Sequence, residues 1–125
     1  MSELDPLGKS QHEEGSKLDA GKLRAGLMLE GFANALLAVS EVTTKGAAKY
    51  TPRGWETVPN GIERYTDAMV RHQLKELTGE KYDTDTGCLH AAQLAWNALA
   101  RLELMIRENN EQGKRPFVSG VTLLS

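Results

Sequence analysis

The sequence predicts an all-α domain, a compact helical bundle, on three observations. Apolar residues recur at helical spacing in three segments, and Gly-, Pro- and Asp/Thr-bearing breaks separate those segments. Apart from a weak β-branched stretch at the C-terminal end, nothing alternates in the manner of a strand. The 125 residues suffice for one core but not for two. Three helices with alanine-rich faces and broad apolar arcs rarely close a core alone. Packing against further copies, as a homodimer or homotetramer, is therefore the expected completion.

Residues 1–16 carry His12, Glu13 and Glu14 among Gly, Ser and Lys without periodicity, and are expected to form a flexible leader. Residues 17–24 (KLDAGKLR) are polar and basic, an arm leading into the first helix. That helix is expected from Leu27 to about Lys49, with Leu29, Phe32, Leu36 and Val39 on one face and Gly46 and Pro52 to stop it. TPRGWETVP, residues 51–59, reads as a loop. Asn60 with Glu63 then has the form of a capping box opening the second helix. Along it Ile62, Tyr65, Met69, Val70, Leu74 and Leu77 span a wide arc, and Gly79 ends it. The third helix is expected to start after Asp85 or Thr86 as N-cap and to run to about Glu108, with Ala91, Ala95, Ala98, Leu99, Leu102 and Ile106 inward. The domain thus covers 17–108. Residues 109–125 form a C-terminal tail whose apolar end, Phe117 to Leu124, suits docking or a subunit contact.

Composition removes several classes of function. A net charge of −2 leaves no basic footprint for duplex nucleic acid. No apolar run approaches the ~20 residues of a membrane span, and the start MSELDPLGKS is unlike a signal peptide. Cys88 is alone, so neither an intrachain disulfide nor a cysteine-based zinc site is available, and a reducing cytoplasmic setting is expected.

The residues with chemistry concentrate between Arg64 and Asn97. His72 and Glu76 are four apart on one helix face, at the edge of the apolar arc. They suit metal binding, and equally a boundary histidine beside a surface ion pair. Asp67 and Arg71 share the other flank, where they would simply pair or serve a ligand. Glu80, Asp83 and Asp85 crowd the turn that follows. Together with Glu76 they repel one another unless solvated or bound to a cation, although capping accounts for Asp85. On the third helix His90, Gln93, Asn97 and Arg101 make a polar stripe suited to a ligand or to an interface. Upstream, Lys22, Arg24, Lys49 and Arg53 suit phosphate oxygens, while Tyr50 and Trp55 suit a base. No phosphate-loop, dinucleotide-binding or H-E-x-x-H pattern is present.

The succession Asp19-Ala-Gly-Lys22, Gly46-Ala-Ala-Lys49-Tyr50, Gly54-Trp55, Tyr65-x-Asp67-Ala68-x-x-Arg71-His72, Gly79-Glu80-x-x-Asp83-x-x-x-Gly87 and His90-Ala-x-x-x-x-Trp96-Asn97-Ala98 resembles a largely phage-borne family. That family is the dATP/dGTP diphosphohydrolases (N-terminal domain), allied to the MazG-like and MazZ-like all-α nucleotide pyrophosphatases. The resemblance implies a helical dimer or tetramer in which acidic residues hold Mg²⁺ or Mn²⁺. It also implies hydrolysis of a nucleoside triphosphate, in MazZ-like members dGTP or GTP, to monophosphate and pyrophosphate. On these residues the expected metal ligands are Glu76, Glu80 and Asp83, with Asp67 or His90 completing the set. Glu76 and Glu80 thereby serve catalysis, and His72 orients a ligand or relays a proton. Lys22, Arg24 and Lys49 would hold phosphates, and Tyr50, Trp55 and Asn97 the nucleoside. The competing expectation is a non-catalytic helical module that binds nucleotide or another helix through the His90/Asn97/Arg101 stripe.

Overall fold

A computed structural model describes residues 3–113, and within them the architecture is all-α. The helices are α1 (Ala25–Gly31), α2 (Ala33–Lys49), α3 (Gly61–Leu77) and α4 (His90–Glu111), with one 3-10 turn at Gly54–Thr57. Two isolated β-bridges, Leu4 with Ser10 and Tyr82 with Leu89, are the extended pairings among the described residues.

α3 and α4 form the antiparallel frame. Gly61 at the start of α3 lies so close to α4 that a Cβ there would stand 2.8 Å from Leu104 Cδ1. Near the middle, Thr66 Oγ1 accepts from Arg101 Nε at 2.7 Å. At the far end His72 meets His90. The small buried residues Ala92 and Ala100 permit this close approach, and they lie off the expected inward face, of which Ala91, Leu99 and Leu102 are exposed. Trp96 joins the frame to the preceding loop through edge-on contacts with Trp55 and Tyr65, at centroid distances of 5.9 and 5.6 Å. Tyr65 Oη donates to the Trp55 carbonyl at 2.7 Å, so the loop tryptophan is fixed by backbone as well as by ring.

Three boundaries differ from the sequence expectation. The single helix from Leu27 to Lys49 is two, bent by 82° at Phe32. Phe32 leaves helical geometry (φ −115°, ψ 21°), donating its N–H to Met28 O while accepting from the Leu36 N–H. Gly31, a weak helix former just before it, lowers the cost of the break. The Asn60–Glu63 capping box does not form. Asn60 adopts a left-handed conformation (φ 55°) with no side-chain cap bond, a region that Asn tolerates better than most residues. α4 begins at His90 rather than after Asp85 or Thr86, because the Asp85 carboxylate pairs with Lys49 and the Thr86 hydroxyl is used inside the loop. The Asp85 N–H is bonded to Asp83 Oδ1, and Thr86 Oγ1 accepts from the Cys88 N–H.

The N-terminal segment is organised around Asp5, a buried carboxylate that accepts from the N–H groups of Leu7, Lys9 and Lys17. The expected docking stretch Phe117–Leu124 lies outside the described residues. Among the described residues no single helix is long and apolar enough to cross a membrane. Apolar side chains nevertheless remain uncovered on α1 and α2, including Leu29 and Phe32, and on α3 at Val70, Leu74 and Leu77.

α3 ends in a paired-bond turn that delivers the next acidic residue. The Gly79 N–H donates to Glu76 O and the Glu80 N–H to Lys75 O, with Gly79 at φ 97°. Only glycine adopts this conformation without strain. Gly79→Ala is expected to cost about 1 kcal/mol of stability, read as a lower urea midpoint with unchanged slope.

Candidate functional site

The loop from Lys81 to Leu89 is folded back on itself. The Asp83 N–H donates to Cys88 O at 2.8 Å, Gly87 N–H to Asp83 O at 2.7 Å, and His90 N–H to Lys81 O at 3.0 Å. Gly87 at φ 76° makes the reversal possible. This narrow loop puts Asp83 beside His90 at the first turn of α4, opposite His72 on α3. α2 holds the loop from outside. Lys45 Nζ donates to Thr86 O at 2.6 Å, Lys49 pairs with Asp85 at 3.6 Å, and the Cys88 thiol contacts Glu41 Oε1 at 3.5 Å.

His72, Asp83 and His90 each offer a ligand atom, all within 4.8 Å of one another. His72 Nδ1 and His90 Nδ1 are 2.9 Å apart, and the two rings are tilted by 40°. On its other side, His90 Nε2 lies 3.1 Å from Glu80 Oε2. A carboxylate only accepts, so this contact places the proton of a neutral ring on Nε2 and leaves a lone pair on Nδ1 facing His72. Burial, followed by the neighbouring His90, pushes the His72 pKa down, which favours the neutral ring that a metal requires. Asp83 is treated differently. Burial opposes its ionisation, but the Asp85 N–H, the Gln93 amide at 3.0 Å and the two imidazoles together hold its carboxyl below the ordinary range.

The cluster lies at one end of a cleft of about 940 Å³ between α2, the 51–58 loop, α3 and α4. Lys45, Lys49, Arg64 and Arg71 supply cationic groups to its walls, Asp67, Asp83 and Asp85 carboxylates, and Tyr50, Trp55 and Trp96 aromatic surface. A smaller recess of about 190 Å³, lined by Arg71, His72, Lys75, Glu80, Asp83, Thr84 and His90, adjoins it. His72 and Asp83 face both spaces. The arrangement can hold a polyanion in the cleft, with a divalent cation at its end.

Of the residues singled out in the sequence, the structure brings His72, Glu80, Asp83 and His90 together. It also gathers Lys49, Tyr50, Trp55, Asp67 and Asn97 around the cleft. Asn97 is buried, its side-chain amide donating to Gln93 O at 2.8 Å. Glu76 is exposed and lines neither space, and Lys22 and Arg24 are not among the lining residues. Asp67 and Arg71 do not pair with each other, and both line the cleft. Lys45 escaped the sequence reading. The available signal was its position one helical turn before Lys49, which places both on the same edge of α2.

No curated protein and no solved structure matches the chain. A family model described as dATP/dGTP diphosphohydrolase, N-terminal, matches residues 12–114, a span that contains α1 to α4, the cleft and the histidine–carboxylate cluster. On that match the chain belongs to the dATP/dGTP diphosphohydrolase N-terminal family.

Proposed function

We propose that the chain hydrolyses a purine (deoxy)nucleoside triphosphate, dGTP or GTP foremost, to the monophosphate and pyrophosphate with the help of Mg²⁺ or Mn²⁺. The observation that carries this reading is a single cleft offering cations, aromatic rings and a histidine–carboxylate cluster together. The donor set fits a divalent cation: two imidazoles, that of His72 favoured in the neutral form by burial, and a carboxylate kept ionised by its hydrogen bonds. Such an ion supplies positive charge against the triphosphate and acidifies water.

The residues of the chain do the rest. Lys49, Lys45 and Arg71 hold phosphate oxygens, Trp55 and Tyr50 offer faces to the base, and Asn97 lies behind them at the cleft wall. Asp83 and His90 are held in place by Gln93 and Glu80 before any ligand arrives, so little ordering is left to do on binding. The working unit is 17–108, and α4 runs on to Glu111 into the segment that follows it. Residues 1–16 form the leader and 109–125 the tail. A second copy covers the uncovered apolar faces, giving a homodimer or homotetramer. A substrate taken from the nucleotide pool and a lone thiol both suit the cytoplasm.

The test is pyrophosphate release from each of the eight common nucleoside triphosphates, with Mn²⁺ or Mg²⁺. Purine substrates are expected to yield monophosphate and pyrophosphate, and a chelator to stop the reaction. Absence of turnover on all eight with both ions overturns the reading.

A further inference from the structure

The metal-binding corner is not an all-oxygen site. Two of the three donors that converge there are imidazole nitrogens, and each converging ligand is oriented from behind by a residue of its own or by its neighbour. Glu80 fixes the tautomer of His90 through Nε2, and Gln93 and the Asp85 N–H fix Asp83. The ligand His90 and the support Gln93 are 3% and 7% exposed, whereas the Glu80 side chain is 31% exposed at the rim. Supports of this kind distinguish a built site from a chance cluster, since metal-ligating histidines commonly donate their other N–H to a carboxylate. The 2.9 Å between the two Nδ1 atoms is a hydrogen-bond length. It also matches adjacent ligands about 2.1 Å from one ion at a right angle, which stand about 3.0 Å apart.

We infer that His72, Asp83 and His90 bind one divalent first-row transition ion, Co²⁺ more tightly than Mn²⁺ and either in preference to Mg²⁺, and that Glu80 acts as a positioning residue through His90 rather than as a ligand. The inference rests on the metal-dependent reading given above and narrows it. Mg²⁺ favours oxygen donors and gives up its waters reluctantly, whereas affinity for a nitrogen-bearing site rises along the first-row series from Mn²⁺ to Co²⁺. The His72–His90 hydrogen bond occupies the lone pair of His90. An entering ion therefore has to be one for which nitrogen is a good enough donor to replace that bond. The position of Glu80 beyond His90 also explains how a carboxylate in the expected ligand sequence stands one shell back.

The experiment titrates the chelator-stripped full chain with MnCl₂, CoCl₂ and MgCl₂ in a calorimeter, with the visible spectrum of the Co²⁺ form recorded in parallel. One equivalent of Mn²⁺ or Co²⁺ is expected to bind at least about tenfold more tightly than Mg²⁺. His72→Ala and the more conservative His72→Asn should both lose the tight step and alter the Co²⁺ spectrum, with far-UV circular dichroism confirming the fold. Glu80→Gln should weaken binding by about 10- to 100-fold while leaving the Co²⁺ spectrum in place. Mg²⁺ binding as tight as Mn²⁺, or wild-type Mn²⁺ affinity in both His72 variants, overturns the ion assignment. A Co²⁺ spectrum changed by Glu80→Gln as much as by the His72 variants overturns the positioning role. None of these readouts needs nucleotide, so they stand apart from the hydrolysis assay. Turnover that runs on Mg²⁺ alone and survives His72→Ala sinks this inference and leaves the hydrolase reading intact.

Discussion

Asp83→Asn is expected to reduce triphosphate hydrolysis by about three orders of magnitude while leaving the helices folded. The substitution keeps shape and removes charge. Asp83 accepts two hydrogen bonds, one from the Asp85 N–H and one from the Gln93 amide. Asparagine can keep the first with its own carbonyl if Gln93 turns its amide around, so the loop survives. What disappears is the anionic donor beside the two imidazoles. The depressed folded-state pKa gives the sign of the pH effect: this carboxylate contributes stability above the ordinary Asp range, and the contribution is lost as pH falls through the lower folded value. The variant should therefore show a flatter acid limb of stability. Pyrophosphate release with dGTP and Mn²⁺, beside urea unfolding at several pH values, reads both. Turnover within tenfold of wild type would remove Asp83 from the site.

The second large effect concerns assembly. Leu29→Asp with Phe32→Ser is expected to convert an oligomer into a monomer and to lower its melting temperature. α1 has no buried residue, and Leu27, Met28, Leu29 and Phe32 are each about half exposed or more. An apolar seven-residue helix with so little covering has no reason to form in water by itself, since isolated short helices are marginal and its own chain gives it few partners. In the proposed assembly a second copy laid over the α1–α2 corner would supply that partner. Light scattering on the eluting protein decides the matter: a wild-type mass equal to one chain, or a variant mass unchanged from a wild-type dimer, refutes it.

α3 and α4 were readable as helices from their apolar spacing, but the face they share was not: α4 buries His90, Ala92, Gln93, Asn97 and Ala100, whereas Leu99 and Leu102, and Val70, Leu74 and Leu77 on α3, stay exposed. Nor was the break at Phe32, since no proline marks it and the apolar pattern continues across the bend. The start of α4 was misplaced for a chemical reason. Asp and Thr satisfy a free N–H equally well at a helix cap or inside a tight loop, and here Asp83 and Thr86 do the latter. The candidate site shows the same division. His72, Asp83 and His90 were each visible as unusual residues for their segments. Their convergence depends on the antiparallel register of α3 and α4 and on the fold-back at Gly87, which spacing alone does not encode. Glu76 illustrates the converse. Its place one turn after His72 suggested a shared face, yet the paired-bond turn at Gly79 carries the chain inward only from Glu80, leaving Glu76 in solvent.

The grip of α2 on the loop also sets the terms on which a ligand enters. Lys45 is engaged with Glu41 and the Thr86 carbonyl, and Lys49 with Asp85. These two α2 cations are thus already matched with resident anions or dipoles. A polyphosphate enters by exchanging partners with them, and its several charges can outcompete a single exposed carboxylate. A nucleoside monophosphate brings too little charge to win the same exchange. On the proposed reaction, the monophosphate would lose that exchange once the chain of phosphates is cut, and the resting ion pairs would return when pyrophosphate, which keeps most of the charge, leaves.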